Sequence, residues 1–355
     1  MAGSVLKVLL LARQLPGYDG TWALTSLLDR LERRGCLPQI VFASRGMAPS
    51  DDRRAIEAPG LANRWLRPLA VRRLWTDSRV DRPDLIHAVD DSMANVALAL
   101  AEFAETAYVQ SVNSFSTLQT GLRLSRRWCR RIVAASDDLA DNLVIELDVP
   151  AEMVTVILPG VIVPSPSAPV TGVKSVPVVG TTGSSQDVPG FTILLEAAKL
   201  VLDSGHEVEF VIATAESEHV FLRHRAQKLG IGERVTVSDD RIIGAMFWSV
   251  LDVYCQPSIG PSTGRTLLYA LARGVPSIAT DVKGLRSLIE PGQTALLIPP
   301  ADPHAMRQAI VDLLAAPDDA RRLGWQARES IRQRFDADVE ADSLTALYRE
   351  VMTRA

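Results

Sequence analysis

Residues 257–276 read Pro-Ser-Ile-Gly-Pro-Ser-Thr-Gly-Arg-Thr-Leu-Leu-Tyr-Ala-Leu-Ala-Arg-Gly-Val-Pro, and the apolar run Leu251 to Cys255 leads into them. The run reads as a strand, the Pro/Gly/Ser/Thr segment as a loop, and the apolar-periodic stretch up to Gly274 as a helix. Such a unit presents the first N–H groups of the helix, unpaired within it and at the positive end of its dipole, at the edge of a sheet. Ser262, Thr263 and Gly264 let a phosphate approach that backbone, and Arg265 adds a charge-assisted contact. Strand-loop-helix units occur throughout α/β proteins and most bind nothing, so the pattern speaks to the fold before it speaks to function.

On either side of this stretch, apolar strand-like runs alternate with amphipathic helical ones, the pattern of parallel sheets covered on both faces. In the first half, strands are expected at Val5 to Leu11, Gln39 to Ala43, Leu85 to Ala88, Tyr108 to Val112, Arg131 to Ala134 and Val154 to Ile157. Helices are expected at Thr21 to Arg34, Ser92 to Ala104 and Asp137 to Leu147. The opening unit is Rossmann-like in order, with Gly20 closing its loop, but it has no Gly-x-Gly-x-x-Gly, so a dinucleotide cofactor is not indicated. A second series begins with strand Val178 to Thr182 and runs through the stretch quoted above to strands Ser277 to Thr280 and Ala295 to Ile298. Three helical stretches, Ala305 to Ala315, Asp318 to Arg334 and Val339 to Arg354, close the chain without strands between them. Between Ile162 and Pro177 the sequence is rich in Pro, Ser and Gly and lacks periodicity, as an interdomain linker should. The expected architecture is two doubly wound, Rossmann-like α/β domains facing across a cleft at the carboxyl ends of both sheets.

Composition bounds the function. With 355 residues, 47% hydrophobic and 23% charged, the chain can bury a large core in two domains. Cys36, Cys129 and Cys255 are odd in number, far apart and without nearby His, which argues against a disulfide framework or a zinc site and fits a reducing cytoplasm. The start runs from Met1 directly into strand-like Val5, so secretion is not expected. No run reaches the length of a membrane span. A net charge of −4 gives no overall bias toward nucleic acid.

The segments Gly274 to Leu285 and Glu290 to Pro300, with Asp302-Pro303, resemble the carboxyl domain of retaining family-four (group 1) glycosyltransferases of the GT-B fold. Ala135 to Leu139 and Val154 to Val161 are similar to family signatures near the hinge. The resemblance implies domains at 1–162 (acceptor side) and 177–335 (nucleotide-sugar side), a linker at 163–176, and a terminal helix at 336–355 crossing back to the first domain. It also implies sugar transfer from a nucleotide diphosphate-sugar without a metal or other cofactor. Its donor and phosphate contacts would fall on Gly20, Gly183, Ser184, Ser262, Thr263, Gly264, Arg265 and Tyr269.

Several family positions are altered. Where relatives carry a glutamate at each end of a nine-residue stretch, this chain has Pro261 and Tyr269; where they carry an arginine and a lysine for the diphosphate, it has Thr181 or Thr182 and Pro189. Pro261 has no side-chain polar atom, and a tyrosine replaces a ribose-binding carboxylate only in part. Gly180 to Ser185 remains a backbone nest for an anion, or a plain strand-to-helix loop. On the acceptor side, His87 is the retained member of the family's histidine pair and the candidate catalytic residue; a satisfied structural histidine is the other reading. Asp90 and Asn113 stand near the expected acceptor site, and Asp90 and Asp91 also read as helix caps before Ser92.

Two arginine-rich stretches interleave with Trp. The first runs from Arg53 to Arg82 around Trp65, Leu66, Leu69 and Trp75, and the second from Arg123 to Arg131 around Trp128. Arg and Trp together suit weak peripheral contact with an anionic membrane; a solvated helical face with Trp packed beneath gives the same pattern. Two functions stand open: an active glycosyltransferase with an altered donor site, and a silent relative that binds a nucleotide sugar, a glycan or a partner enzyme.

Overall fold

A computed structural model describes the protein at residues 5–13, 17–44, 52–115, 122, 124–164, 176–239 and 245–353. The chain divides into two compact units. Residues up to Gly160, save Gly17–Asp19, join Ala337 onward in the first, and Val161–Asp336 form the second. Each unit is an α/β domain built on a parallel sheet.

In the first unit the elements are β1 (Leu6–Ala12), α1 (Gly17–Arg33), β2 (Cys36–Phe42), β3 (Ala55–Glu57), α2 (Arg67–Thr76), β4 (Leu85–Ala88), α3 (Ala94–Ala104), β5 (Tyr108–Val112), β6 (Cys129–Ala134), α4 (Asp137–Glu146) and β7 (Val154–Val156). The sheet order is β3-β2-β1-β4-β5-β6-β7 and every pairing is parallel. Successive side chains of a strand point to opposite faces, so a strand covered on both sides must be apolar at every position. In β1, Leu9 and Leu11 join Val96 and Leu100 of α3 and Leu139 and Leu143 of α4 on one face. Val8 and Leu10 join Leu24, Leu28 and Leu31 of α1 on the other, together with Leu344, Leu347, Tyr348 and Val351 of the terminal helix, Ala337–Thr353.

Ion pairs also join that helix to the unit, Arg34 to Asp338 (3.0 Å) and Asp342 (2.7 Å), and Arg131 to Glu350 (2.6 Å). Exposed pairs of this kind contribute about 0–1 kcal/mol each, whereas burying a Leu or Val side chain contributes about 1.5–3 kcal/mol. The apolar face therefore docks the helix and the ion pairs set its register.

The second unit comprises β8 (Val178–Thr182), α5 (Val188–Asp203), β9 (Glu209–Thr214), α6 (Glu216–Lys228), β10 (Val235–Asp239), α7 (Ala245–Val250), β11 (Val253–Gln256), α8 (Arg265–Ala272), β12 (Ser277–Thr280), β13 (Leu296–Ile298), α9 (Pro303–Ala315) and α10 (Pro317–Arg334); the terminal helix is then α11. Its strand order, β10-β9-β8-β11-β12-β13, is again parallel throughout. In both sheets the order reverses beside the first strand, between β1 and β4 and between β8 and β11. Loops at the carboxyl ends of such a pair diverge to opposite faces and leave a crevice where ligands of this architecture bind.

β3, α2 and α7 are not foreseen by the sequence patterns. Residues 165–175 of the expected linker lie outside the described residues. The units divide at Gly160/Val161 and again at Asp336/Ala337. Val161 bridges to Asp336, and a Cβ on Gly160 would meet the Ala337 backbone at 2.7 Å.

In α10, a Cβ on Gly324 would stand 2.1 Å from the carbonyl oxygen of Gly274, which itself turns the chain after α8 at φ +74°. Gly→Ala inside an exposed helix stabilises by about 1 kcal/mol, but overpacking against a backbone carbonyl costs about 1–3 kcal/mol. Gly324→Ala is expected to lower the stability of the protein in urea unfolding. An unchanged or raised midpoint would contradict this close backbone approach.

Candidate functional site

The crevice of the second unit is organised by a buried amide. Gln256, the last residue of β11, is 2% exposed, and its Oε1 accepts hydrogen bonds from Tyr254 Oη (2.7 Å) and Thr266 Oγ1 (2.7 Å). Its Nε2 donates to Ser258 Oγ at 3.1 Å. Thr280, at the end of β12, donates to the carbonyls of Ser258 (2.6 Å) and Gln256 (3.3 Å). The ends of β11 and β12, the loop from Pro257 and the first turn of α8 are thereby tied into one polar knot. Buried polar groups require such partners, because each one left unpaired costs about 1–3 kcal/mol. Burial pushes the Tyr254 hydroxyl far above its ordinary range, so it remains a neutral donor.

Gly264 ends the loop in the left-handed region at φ +63°, and a Cβ there would strike Leu288 at 2.4 Å and Leu285 at 2.6 Å. Glycine at this position is thus required by backbone and packing, independently of any ligand. Ser262 Oγ accepts from Gly264 N at 3.2 Å, and Ser262 N donates to the Lys283 carbonyl at 3.0 Å. Thr263 is half-buried in the same loop. The first-turn N–H groups of α8, from Arg265 to Leu267, have no carbonyl within the helix to bond. Arg265 is exposed at this end, and Lys283, also exposed, is brought beside the loop through its carbonyl. Sequence spacing gives no sign of Lys283. The parallel pairing of β11 with β12 is what places it there.

The neighbouring loop, after β8, differs from the expected anion nest. The Asp187 carboxylate accepts from Ser184 N (2.8 Å) and Ser184 Oγ (3.1 Å), and it lies against Gly183, where a Cβ would be 2.6 Å from Oδ2. Ser184 in turn caps the helical turn leading into α5. The protein's own carboxylate occupies the N–H that a phosphate would use, and burial raises its pKa. Thr181 and Thr182 are buried at 0% and 3%, so neither side chain reaches solvent, while Pro189 is exposed in the first turn of α5. Gly190 fits against the Pro257 carbonyl, which would meet a Cβ at 2.0 Å, and so brings the two loops together. Tyr269 lies on the second turn of α8; its Oη is buried without a hydrogen-bond partner among the described residues, and Arg273 stands over both its ring (5.7 Å) and that of Trp248 (5.4 Å).

In the first unit, His87 is 1% exposed, with Nδ1 2.6 Å from Tyr348 Oη and Nε2 2.8 Å from Ser111 Oγ. Burial lowers its pKa to about 3, so the ring is neutral. Both nitrogens are engaged, and the geometry is that of a structural histidine fastening α11 to the sheet rather than of the expected catalytic residue. Asp90 accepts from Ser92 N (2.8 Å) and Oγ (2.7 Å) as a cap. Asn113 donates from Nδ2 to the Val89 carbonyl (2.7 Å), and its N–H donates to Asp91 (2.6 Å), joining the ends of β4 and β5. Gly20 falls on α1, in a segment whose side-chain surroundings lie outside the described residues.

A family model described as Glycosyl transferases group 1 matches residues 176–316, and one described as Glycosyltransferase Family 4 matches residues 22–163. The chain belongs to the group 1, family 4 glycosyltransferases. Among curated relatives of the family, the phosphatidyl-myo-inositol mannosyltransferase of Mycobacterium leprae is 31% identical over 168 residues, 46% of this chain and 44% of that protein. The chain thus spans about half the length of the curated relatives it matches. Sucrose-phosphate synthase from Thermosynechococcus elongatus superimposes with a TM-score of 0.80 at 18% identity, over 99% of this chain and 100% of that one. Anabaena HepE in complex with UDP and glucose does so with 0.79 at 18% identity, over 97% and 99%. These likenesses show the GT-B fold.

Gln256→Leu is expected to orphan the Thr266 hydroxyl and to leave Tyr254 Oη only its longer bond to the Thr182 carbonyl (3.4 Å), costing about 2–4 kcal/mol in urea unfolding, about 1–3 for the unpaired group and about 1 for the lost bond. A loss below that of a conservative surface change would contradict the knot. The pKa of His87 is lower in the folded chain than the usual 6.5, so between about 6.5 and about 3 the unfolded chain holds a proton that the folded one does not. Its contribution to stability is therefore complete above pH 6.5 and falls with pH by up to about 1.4 kcal/mol per unit. Unfolding at pH 7, 6 and 5 should show a steeper loss for the wild type than for His87→Gln, and parallel profiles would refute this.

Proposed function

We propose that the protein transfers a sugar from a nucleotide diphosphate-sugar, with retention and without a resident metal, and that the diphosphate binds at the β8/β11 crevice of the second unit. The observation that carries this reading is the first turn of α8, which starts at Arg265 and whose preceding loop is bonded to the backbone of Lys283, at the switch point of a sheet matched by the group 1 family model. Helix dipole, backbone donors and two cations suit a leaving diphosphate on which negative charge develops. The name of the Mycobacterium leprae relative and the UDP-glucose complex of Anabaena HepE support the class of reaction and of donor.

Asp187 favours a second reading, a silent relative that binds a ligand without turnover. Its carboxylate holds the Ser184 N–H, and the family's acidic and basic side chains are replaced by Pro261, Tyr269, Thr181 or Thr182, and Pro189. Loss of one transition-state donor commonly costs on the order of 10²–10³ in rate.

Thermal-shift titration with UDP, GDP, ADP and their sugars, paired with a hydrolysis and transfer assay, distinguishes the two. A bound nucleotide at a hundred times its Kd adds about 2.7 kcal/mol of stability. Arg265→Ala and Lys283→Ala are each expected to weaken nucleoside diphosphate on the order of tenfold, with nucleoside binding unchanged, because charge-assisted bonds are worth about 1.5–3 kcal/mol. Binding without turnover assigns the silent reading, and no binding of any nucleotide removes the donor site.

A further inference from the structure

The two arginine-rich stretches of the first unit separate once their side chains are placed. Arg54 is committed to Asp29, Glu32 and Asp52, Arg79 to Asp77, and Arg131 to Glu350. Trp128 is half-buried and packs on the core of the sheet, with Arg127 over its ring at 4.7 Å. These residues form a solvated face over a packed aromatic, as their spacing also allowed.

Residues 64–73 are different. Trp65 is 78% exposed, Leu66 53% and Leu69 50%, and Arg64 stands over the Trp65 ring at 4.5 Å. Single exposed apolar residues are ordinary, but here a Trp and two Leu are exposed within residues 65–69, and the two Leu line one groove. The patch is held in place: Asn63 Oδ1 accepts from Trp65 N (2.9 Å), and Arg67 Nε donates to the Leu61 carbonyl (3.1 Å). A groove of about 350 Å³, lined by Ile56, Gly60, Leu66, Leu69, Ala70 and Arg73, continues the apolar surface inward. Two carboxylates, Glu57 and Asp77, also line the groove, Asp77 in its pair with Arg79, while the turn and helix between them carry only cations. From Ala58 to Thr76 the sequence holds Arg64, Arg67, Arg72 and Arg73 and no acidic residue, in a chain whose net charge is −4. Among the described residues no ion pair engages Arg64, Arg72 or Arg73.

We propose that this turn and the start of α2 dock the first unit on an anionic lipid bilayer. Trp and Leu enter the interface between headgroups and acyl chains, where Trp is favoured, and the arginines meet the lipid phosphates. A bilayer takes the apolar and the cationic parts of the patch together, whereas an acidic polypeptide offers partners to the cations alone. The proposal is independent of the donor site.

Co-sedimentation with phosphatidylcholine vesicles, alone or mixed with phosphatidylglycerol, tests it on the full chain. The wild type should partition to the mixed vesicles and be released as salt rises above about 0.1 M, where exposed charges are screened over about 10 Å. Arg72→Glu with Arg73→Glu should reduce partition on the order of tenfold or more. Trp65→Ser with Leu69→Ser should also reduce it, and Arg126→Glu with Arg130→Glu should leave it near the wild-type level. Circular dichroism melts establish that each variant is folded. Equal recovery with neutral and mixed vesicles, or none with either, overturns the proposal. Unchanged partition of the Trp65/Leu69 variant also overturns it, because the apolar side chains then take no part in the binding.

Discussion

One amide oxygen, Oε1 of Gln256, holds the working rim of the second unit together. It accepts from a hydroxyl on its own strand and from one on the first turn of α8, so the strand end and the helix start cannot move independently. A parallel strand stops donating to its neighbours where it leaves the sheet, and loops there are free to vary. Here the loop from Pro257 to Gly264 is fixed from below by Gln256 and Thr280, from the side by Lys283, and at its end by glycine-only backbone at Gly264. The direction in which α8 points its first N–H groups is a consequence of that fixation.

The fold is legible because β-structure buried on both faces leaves no choice of residue. Leu85–Ala88, Tyr108–Val112, Val178–Thr182, Val253–Gln256 and Ser277–Thr280 begin and end where their apolar or small-residue runs do. α2 is not legible for the opposite reason. It buries only Val71 and Leu74 and spends its remaining positions on arginines and exposed apolar groups, so no periodicity marks it. β3 and α7, at three and six residues, are too short to carry a period.

The site is less legible than the fold because its parts meet through pairing rather than through spacing. Ser262, Gly264 and Arg265 announce a loop and a helix start, but Gln256 reads as an ordinary strand end, and Lys283 reaches the loop only through β12. Asp187 shows the limit most plainly. Glycine and serine after a strand suggest an open nest, yet three residues on a carboxylate folds back and fills it. His87 carries a catalytic resemblance in sequence and a structural role in space, because its strand places it under Tyr348 from the far end of the chain.

The division of the chain also has a temporal side. The first unit takes α11 from beyond the whole of Val161–Asp336. During synthesis, residues up to Gly160 emerge with the apolar face that receives Leu344, Leu347, Tyr348 and Val351 still uncovered, and with His87 lacking its tyrosine. The sheet and helices of Val161–Asp336 can close while the ribosome is still at work, whereas the first unit is completed only once Ala337–Thr353 has followed them out of the exit tunnel. The half that is made first of the two is the half that finishes folding last, and until then its uncovered apolar face is a surface for chaperones to shield.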